Sequence, residues 1–211
     1  MAHDLKIKVC GMKYPDNISE VLNLHPDYIG FIFYEKSPRF VSDFPPAIVS
    51  LPGRIKKTGV FVNESTDTIL KIVRTFNLQA VQLHGDESFD DCAILKKSVP
   101  EVIKAVGVHN TNDLLQAAEY EDCCDFMLFD TKTTRYGGSG NQYDWEILKE
   151  YRGRIPFFLS GGLSINDIDR IIRFRHPLFY GIDVNSCFET EPAFKNINLL
   201  QKFIDNVKNK K

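Results

Sequence analysis

Residues 55–76 read IKKTGVFVNESTDTILKIVRTF. A short apolar run closes at Asn63, and a helical segment follows, with Ser65 and Thr66 placed to cap its first turn. The same order recurs along the chain. "IKVCG" precedes "DNISEVLNL", "YIGFIFY" precedes "PPAIVSLP", and "QAVQLHG" leads into "ESFDDCAILKK". "EVIKAVGV" leads into "TNDLLQAAEY", and "DFMLFD" reaches "YDWEILKEY" through a long polar connector. "PFFLSGG" precedes "SINDIDRIIRF", and "FYGIDVN" comes before "PAFKNINLLQKFIDNV". Thr111 and Ser164 are further candidate N-caps.

Eight strand-then-helix units share 211 residues, about 26 each, enough for a minimal βα unit. Strand runs that are apolar on both faces, each followed by a helix, form a buried parallel sheet. Eight of them without interruption suit a closed (β/α)8 TIM barrel. An open doubly wound sheet is the alternative, but no GxGxxG follows an early strand. No linker or composition break divides the chain, so residues 1–211 are read as one domain.

The composition is 43% hydrophobic and 26% charged, ordinary for a folded protein. Net charge is −2 and no basic stripe is present, which argues against a nucleic-acid partner. The lysine-rich end "KNKK" reads as a solvated helix terminus. No run reaches the length of a membrane span, and "MAHDLKIKV" has no signal-peptide core. Five cysteines without a paired framework point to a reducing, cytoplasmic setting. No CxxC or HExxH spacing occurs, so no metal site is expected.

In a (β/α)8 barrel the chemistry sits at the C-terminal ends of the strands. Gly161 and Gly162, after the seventh run, and Asn185 and Ser186, after the eighth, suit a phosphate cradle. Asp130 closes the sixth run before a connector containing Gly137, Gly138 and Gly140, which suits a cover over an acid. A capping or solvated aspartate is the equal alternative. Arg39 lies in a proline-stiffened loop and could grip a carboxylate through two hydrogen bonds; a surface arginine is the alternative. His84 reads as a hydrogen bonder shaping the pocket rather than as an acid or base. Lys8 and Cys10, two apart, share a strand face, so an ammonium should favour the thiolate and lower the thiol's pKa. An inert buried thiol is the alternative for Cys10, and Cys92, Cys123 and Cys124 read as structural.

In order along the chain, "KVCGM", "GFIFYEKSPRFV", "KTGVFVNES", "VQLHGDES", "FDT…GGSGNQYDW", "LSGGL" and "GIDVNSCFE" resemble the phosphoribosylanthranilate isomerases of tryptophan biosynthesis. The resemblance covers nearly the whole chain. It implies a (β/α)8 barrel and a cofactor-free Amadori rearrangement of a phosphoribosyl substrate. Cys10 would be the general base and Asp130 the general acid. Arg39 would hold the anthranilate carboxylate, and the loops at Gly161–Gly162 and Asn185–Ser186 the phosphate. Asp183 would order the last loop. "DVNSC" departs from the family's usual aspartate-valine-serine-serine-glycine, which brings the geometry around Asn185 and Cys187 into question because cysteine resists positive φ. A monomer is expected, with a homodimer as the alternative. Two other readings compete: another phosphosugar isomerase or epimerase on the same barrel, and a metabolite-binding barrel without catalysis. The first commonly needs a metal or paired carboxylates; the second would fit better had Cys10 or Asp130 been lost.

Overall fold

Side chains alternate between two buried faces along every strand, and that alternation organises the molecule. The computed structural model describes residues 5–42, 54–131 and 144–209. Its barrel strands are β1 (Lys6–Val9), β2 (Tyr28–Ile32), β3 (Lys56–Phe61), β4 (Ala80–Leu83), β5 (Glu101–Val108), β6 (Phe126–Thr131), β7 (Phe157–Leu159) and β8 (Phe179–Val184). All pair in parallel with their sequence neighbours, and β8 pairs with β1, closing the (β/α)8 barrel that the repeat pattern leads one to expect. Tyr28, Ala80, Ile103, Leu128 and Phe158 fill the interior toward the strand N-termini. Residues of the opposite parity, among them Ile7, Val9, Phe31, Phe129 and Leu159, pack outward against the helices.

The described α-helices are α1 (Pro15–Leu22), α2 (Thr66–Phe76), α3 (Phe89–Lys96), α4 (Thr111–Ala118), α5 (Ile168–Arg173) and α6 (Ile197–Asn209). Ser65 caps α2 by accepting from the Thr68 N–H, and Ser88 and Asp91 form a capping box on α3. Leu200, Phe203, Ile204 and Val207 of α6 are buried against the barrel, each worth about 1.5–3 kcal/mol of transfer free energy. The segment expected as a helix after the second strand, and the connector with Gly137, Gly138 and Gly140, lie outside the described residues.

Three boundaries differ from the sequence expectation. The segment after β6 is a 3-10 helix, Trp145–Glu150, rather than an α-helix. Trp145, Leu148 and Tyr151 recur every three residues and are all buried, and a three-residue turn stacks them directly above one another. The cap of α4 is Asn110 rather than Thr111: its Oδ1 accepts from the Asn112 N–H at 2.9 Å, while Asp113 accepts from the Asn110 N–H. Finally, α6 starts after a hairpin of β9 (Glu189–Glu191) and β10 (Phe194–Lys195). The Asn17 carboxamide stands in for a neighbouring strand there, bonding the Lys195 N–H and carbonyl at 2.7 and 2.9 Å.

Candidate active site

The β1–β8 register sets Lys8 beside Asp183, and their side chains meet at 2.8 Å, both buried. Burial opposes the Lys8 charge, but Asp183 and Cys10 outweigh it and hold the ammonium above the usual lysine value. Cys10 follows the last residue of β1 and keeps the same inward face. Burial pushes its thiol up; Lys8 and Lys195 pull it down without overcoming burial. The lowered thiol expected from Lys8 alone is therefore corrected. The ammonium acts in the expected direction, and desolvation of the thiolate is larger. Space for the sulfur comes from Gly30, where a Cβ would stand 2.8 Å from Cys10 Sγ.

Across the barrel mouth, Asp130 emerges from β6. Its Oδ1 accepts from the Thr131 N–H at 2.7 Å, and Oδ2 lies 3.3 Å from His84 Nε2. Gln82 Nε2 lies 2.7 Å from His84 Nδ1, so the ring is held from one nitrogen by Gln82 and faces Asp130 with the other. Gln82 and His84 share one face of the β4 edge by the same two-residue spacing that joins Lys8 and Cys10. That signal marks Gln82, which sequence reading missed.

The loops after β7 and β8 complete the mouth. Gly161 and Gly162 have φ of +95° and +64°, a conformation glycine adopts without strain. A Cβ on Gly161 would also strike Thr131 Oγ1, so the glycine lets this loop close onto the Asp130 end of β6. Cys187 is not at positive φ, so cysteine fits this backbone where the family commonly has glycine. Its Sγ reaches the Gly162 carbonyl at 3.5 Å, joining the two loops. Asn185 Oδ1 accepts from Lys195 Nζ at 2.7 Å.

Arg39 is buried and already grips a carboxylate. Its Nε and one Nη fork onto Glu189 at 2.6–3.1 Å, and Lys195 Nζ donates to the same carboxylate at 2.6 Å. Burial works against the Glu189 charge, but Arg39 and Lys195 hold its carboxyl below the usual range. Glu189 and Lys195 sit in a segment whose sequence pattern reads only as a loop and a helix, which hid them.

These parts surround an open cleft lined by Cys10, Gln82, His84, Asp130, Gly161, Gly162, Asp183, Asn185 and Ser186 among others. Arg39 and Lys8 stand behind that lining. Residues 7–206 match the family model of N-(5'-phosphoribosyl)anthranilate (PRA) isomerase. The chain belongs to the phosphoribosylanthranilate isomerase family. It is an isomerase. Relatives of that name from Parabacteroides distasonis and Phocaeicola vulgatus are 46% and 44% identical, covering 95% and 97% of this chain and 92% and 98% of theirs. The crystal structure of the Thermotoga maritima phosphoribosyl anthranilate isomerase superposes with a TM-score of 0.86 at 36% identity, covering 97% of this chain and 99% of that one. A second such isomerase, solved with reduced 1-(o-carboxyphenylamino)-1-deoxyribulose 5-phosphate, gives 0.83 at 32% identity with the same coverage.

Within this phosphoribosylanthranilate isomerase fold, the "QLHGDE" motif divides its labour. Gln82 and His84 face the cleft. Glu87 turns away, accepting from the Asn63 and Gly85 N–H groups and from Lys104. The cysteines outside the cleft also come together: Cys92, Cys123 and Cys124 form one buried cluster, although they are 31 and 32 residues apart in sequence from Cys92. A hydrogen bond from Cys124 lowers the Cys92 thiol's pKa; burial opposes it, and Lys104 assists it.

Proposed function

We propose that the chain converts N-(5'-phosphoribosyl)anthranilate to 1-(2-carboxyphenylamino)-1-deoxyribulose 5-phosphate in tryptophan biosynthesis, with Cys10 as general base and Asp130 as general acid. The observation that carries this assignment is their placement at the C-terminal ends of β1 and β6, both lining one cleft whose rim is built from the two glycine- and amide-rich loops. The acid protonates the ribose ring oxygen, the C1–O bond breaks, and the nitrogen lone pair forms an iminium. The Cys10 thiolate then takes the proton from C2, leaving an enolamine that tautomerises to the ketone. No electron leaves the substrate, and no cofactor is required. The backbone at Gly161–Gly162 with Asn185 and Ser186 holds the phosphate. Because Glu189 occupies one edge of the Arg39 guanidinium, the anthranilate carboxylate is left the other Nη. His84 orients Asp130, and Lys8 supplies the charge that the thiolate needs in a buried setting.

The test is a fluorescence assay on phosphoribosylanthranilate formed in situ, whose emission falls on turnover. Cys10→Ala and Asp130→Ala should each reduce kcat by about 10²–10⁴-fold with the circular dichroism spectrum retained. Near-normal kcat in folded Cys10→Ala would remove the thiol from the mechanism. The chain acts as a cytoplasmic monomer in this reading, supported by exposed apolar side chains (Tyr14, Phe89, Ile94, Leu115) spread over three helical regions. Light scattering at 24.2 kDa checks it.

A further inference from the structure

Cys92 lies in α3, and Cys123 and Cys124 lie in the turn that enters β6, and none of the three lines the cleft. The three sulfurs lie within 4.8 Å of one another, and Cys123 Sγ is 3.9 Å from Cys124 Sγ. All three residues are at most 2% exposed. A three-coordinate ion with metal–sulfur bonds of about 2.3 Å sets its sulfurs about 4.0 Å apart. The cluster is therefore within a fraction of an ångström to one ångström of trigonal ligation before any side chain changes rotamer.

We infer that Cys92, Cys123 and Cys124 form a binding site for a soft, closed-shell monovalent cation of the Cu(I) type, clamping α3 to the approach of β6. The donor set selects the ion. Three sulfurs form the group with no imidazole or carboxylate in it, and thiolates favour Cu(I) among the biological soft ions. A structural zinc site takes four protein ligands, and the fourth is missing among the described residues. Leu95, Val99 and Val102 belong to the same apolar cluster and keep water from the ion. Of the buried ion pair nearby, Lys104 favours the Cys92 thiolate and Glu87 opposes it less strongly. Binding displaces thiol protons to solvent and changes no oxidation state.

The experiment titrates Cu(I), delivered from a chromophoric chelator under reducing conditions, into the full chain carrying Cys10→Ala and Cys187→Ala. That variant keeps the three clustered thiols alone. One equivalent should leave the chelator per chain, and adding Cys92→Ser should weaken binding at least ~100-fold. No transfer, or equal transfer with Cys92→Ser, overturns the site. Should Cys92→Ser fail to fold, X-ray absorption on the Cu(I)-loaded parent variant decides. Three sulfur neighbours at about 2.3 Å support the site; a shell containing nitrogen or oxygen, or only two sulfurs, overturns it.

Discussion

Lys8 and Asp183 meet at 2.8 Å where β1 adjoins β8, and Lys104 and Glu87 meet at the same distance between β5 and the loop after β4. Both pairs are buried. Their surroundings differ. Glu87 also accepts N–H bonds from Asn63 and Gly85, and Lys104 donates to the Gly85 carbonyl at 2.6 Å and lies over the Tyr120 ring. The pair is a fully bonded clasp between the ends of β3, β4 and β5. Asp183 instead lines the open cleft, and the second neighbour of Lys8 is the Cys10 thiol. The same ion pair holds loops together in one place and sets the charge around the Cys10 thiol in the other. Partner count, rather than bond length, separates the two uses.

The largest effect should come from breaking the clasp. Lys104→Met leaves the buried Glu87 carboxylate without its cation and should cost about 3–5 kcal/mol in urea unfolding, with kcat/KM of the folded fraction changed about twofold or less. A stability loss under about 1 kcal/mol would erase the contrast between the pairs. Next comes Gly30→Ala, which sets a methyl 2.8 Å from Cys10 Sγ. Overpacking of about 1–3 kcal/mol should appear in the melting temperature and in a lowered kcat/KM together; an unchanged rate would show that the thiol's position is irrelevant.

Lys8→Met probes the other pair. Loss of the ammonium lets burial act on Cys10 unopposed, so kcat/KM at neutral pH should drop about tenfold or more, one pKa unit per decade. The rise of the pH profile should move to higher pH. A uniform drop at every pH would make Lys8 structural and the two pairs alike. The smallest effect belongs to the unaltered chain. Burial raises the Cys10 thiol, and the thiolate is the form the proposed base must take. The fraction of active base therefore grows as pH rises, and kcat/KM should climb by somewhat under tenfold per unit through about pH 8.5. A plateau already reached below pH 7 would show a depressed thiol instead.

Much of this was legible in one dimension. Eight apolar runs announce a parallel sheet because both strand faces are buried, and Gly161 and Gly162 announce a backbone turn because they carry no side chain. Cys10, His84 and Asp130 were found because strand ends are where barrel loops converge. The 3-10 segment at Trp145 was not, since Trp145, Leu148 and Tyr151 fit a helical face at three or at 3.6 residues per turn until their burial is known. Glu189 and Lys195 were missed for a different reason: their partners, Arg39 and Asn185, lie in other units or across a hairpin that no local pattern marks.

By itself, then, the amino-acid sequence determines the order of strands and helices, the closed barrel and the residue types at its mouth. These depend on local periodicity and on burial of both strand faces. Tertiary structure alone decided the direction of the Cys10 shift, the prior engagement of Arg39 and the meeting of Cys92 with Cys123 and Cys124. Desolvation and through-space contact depend on what surrounds a group in three dimensions, and residues distant in the chain supply those surroundings.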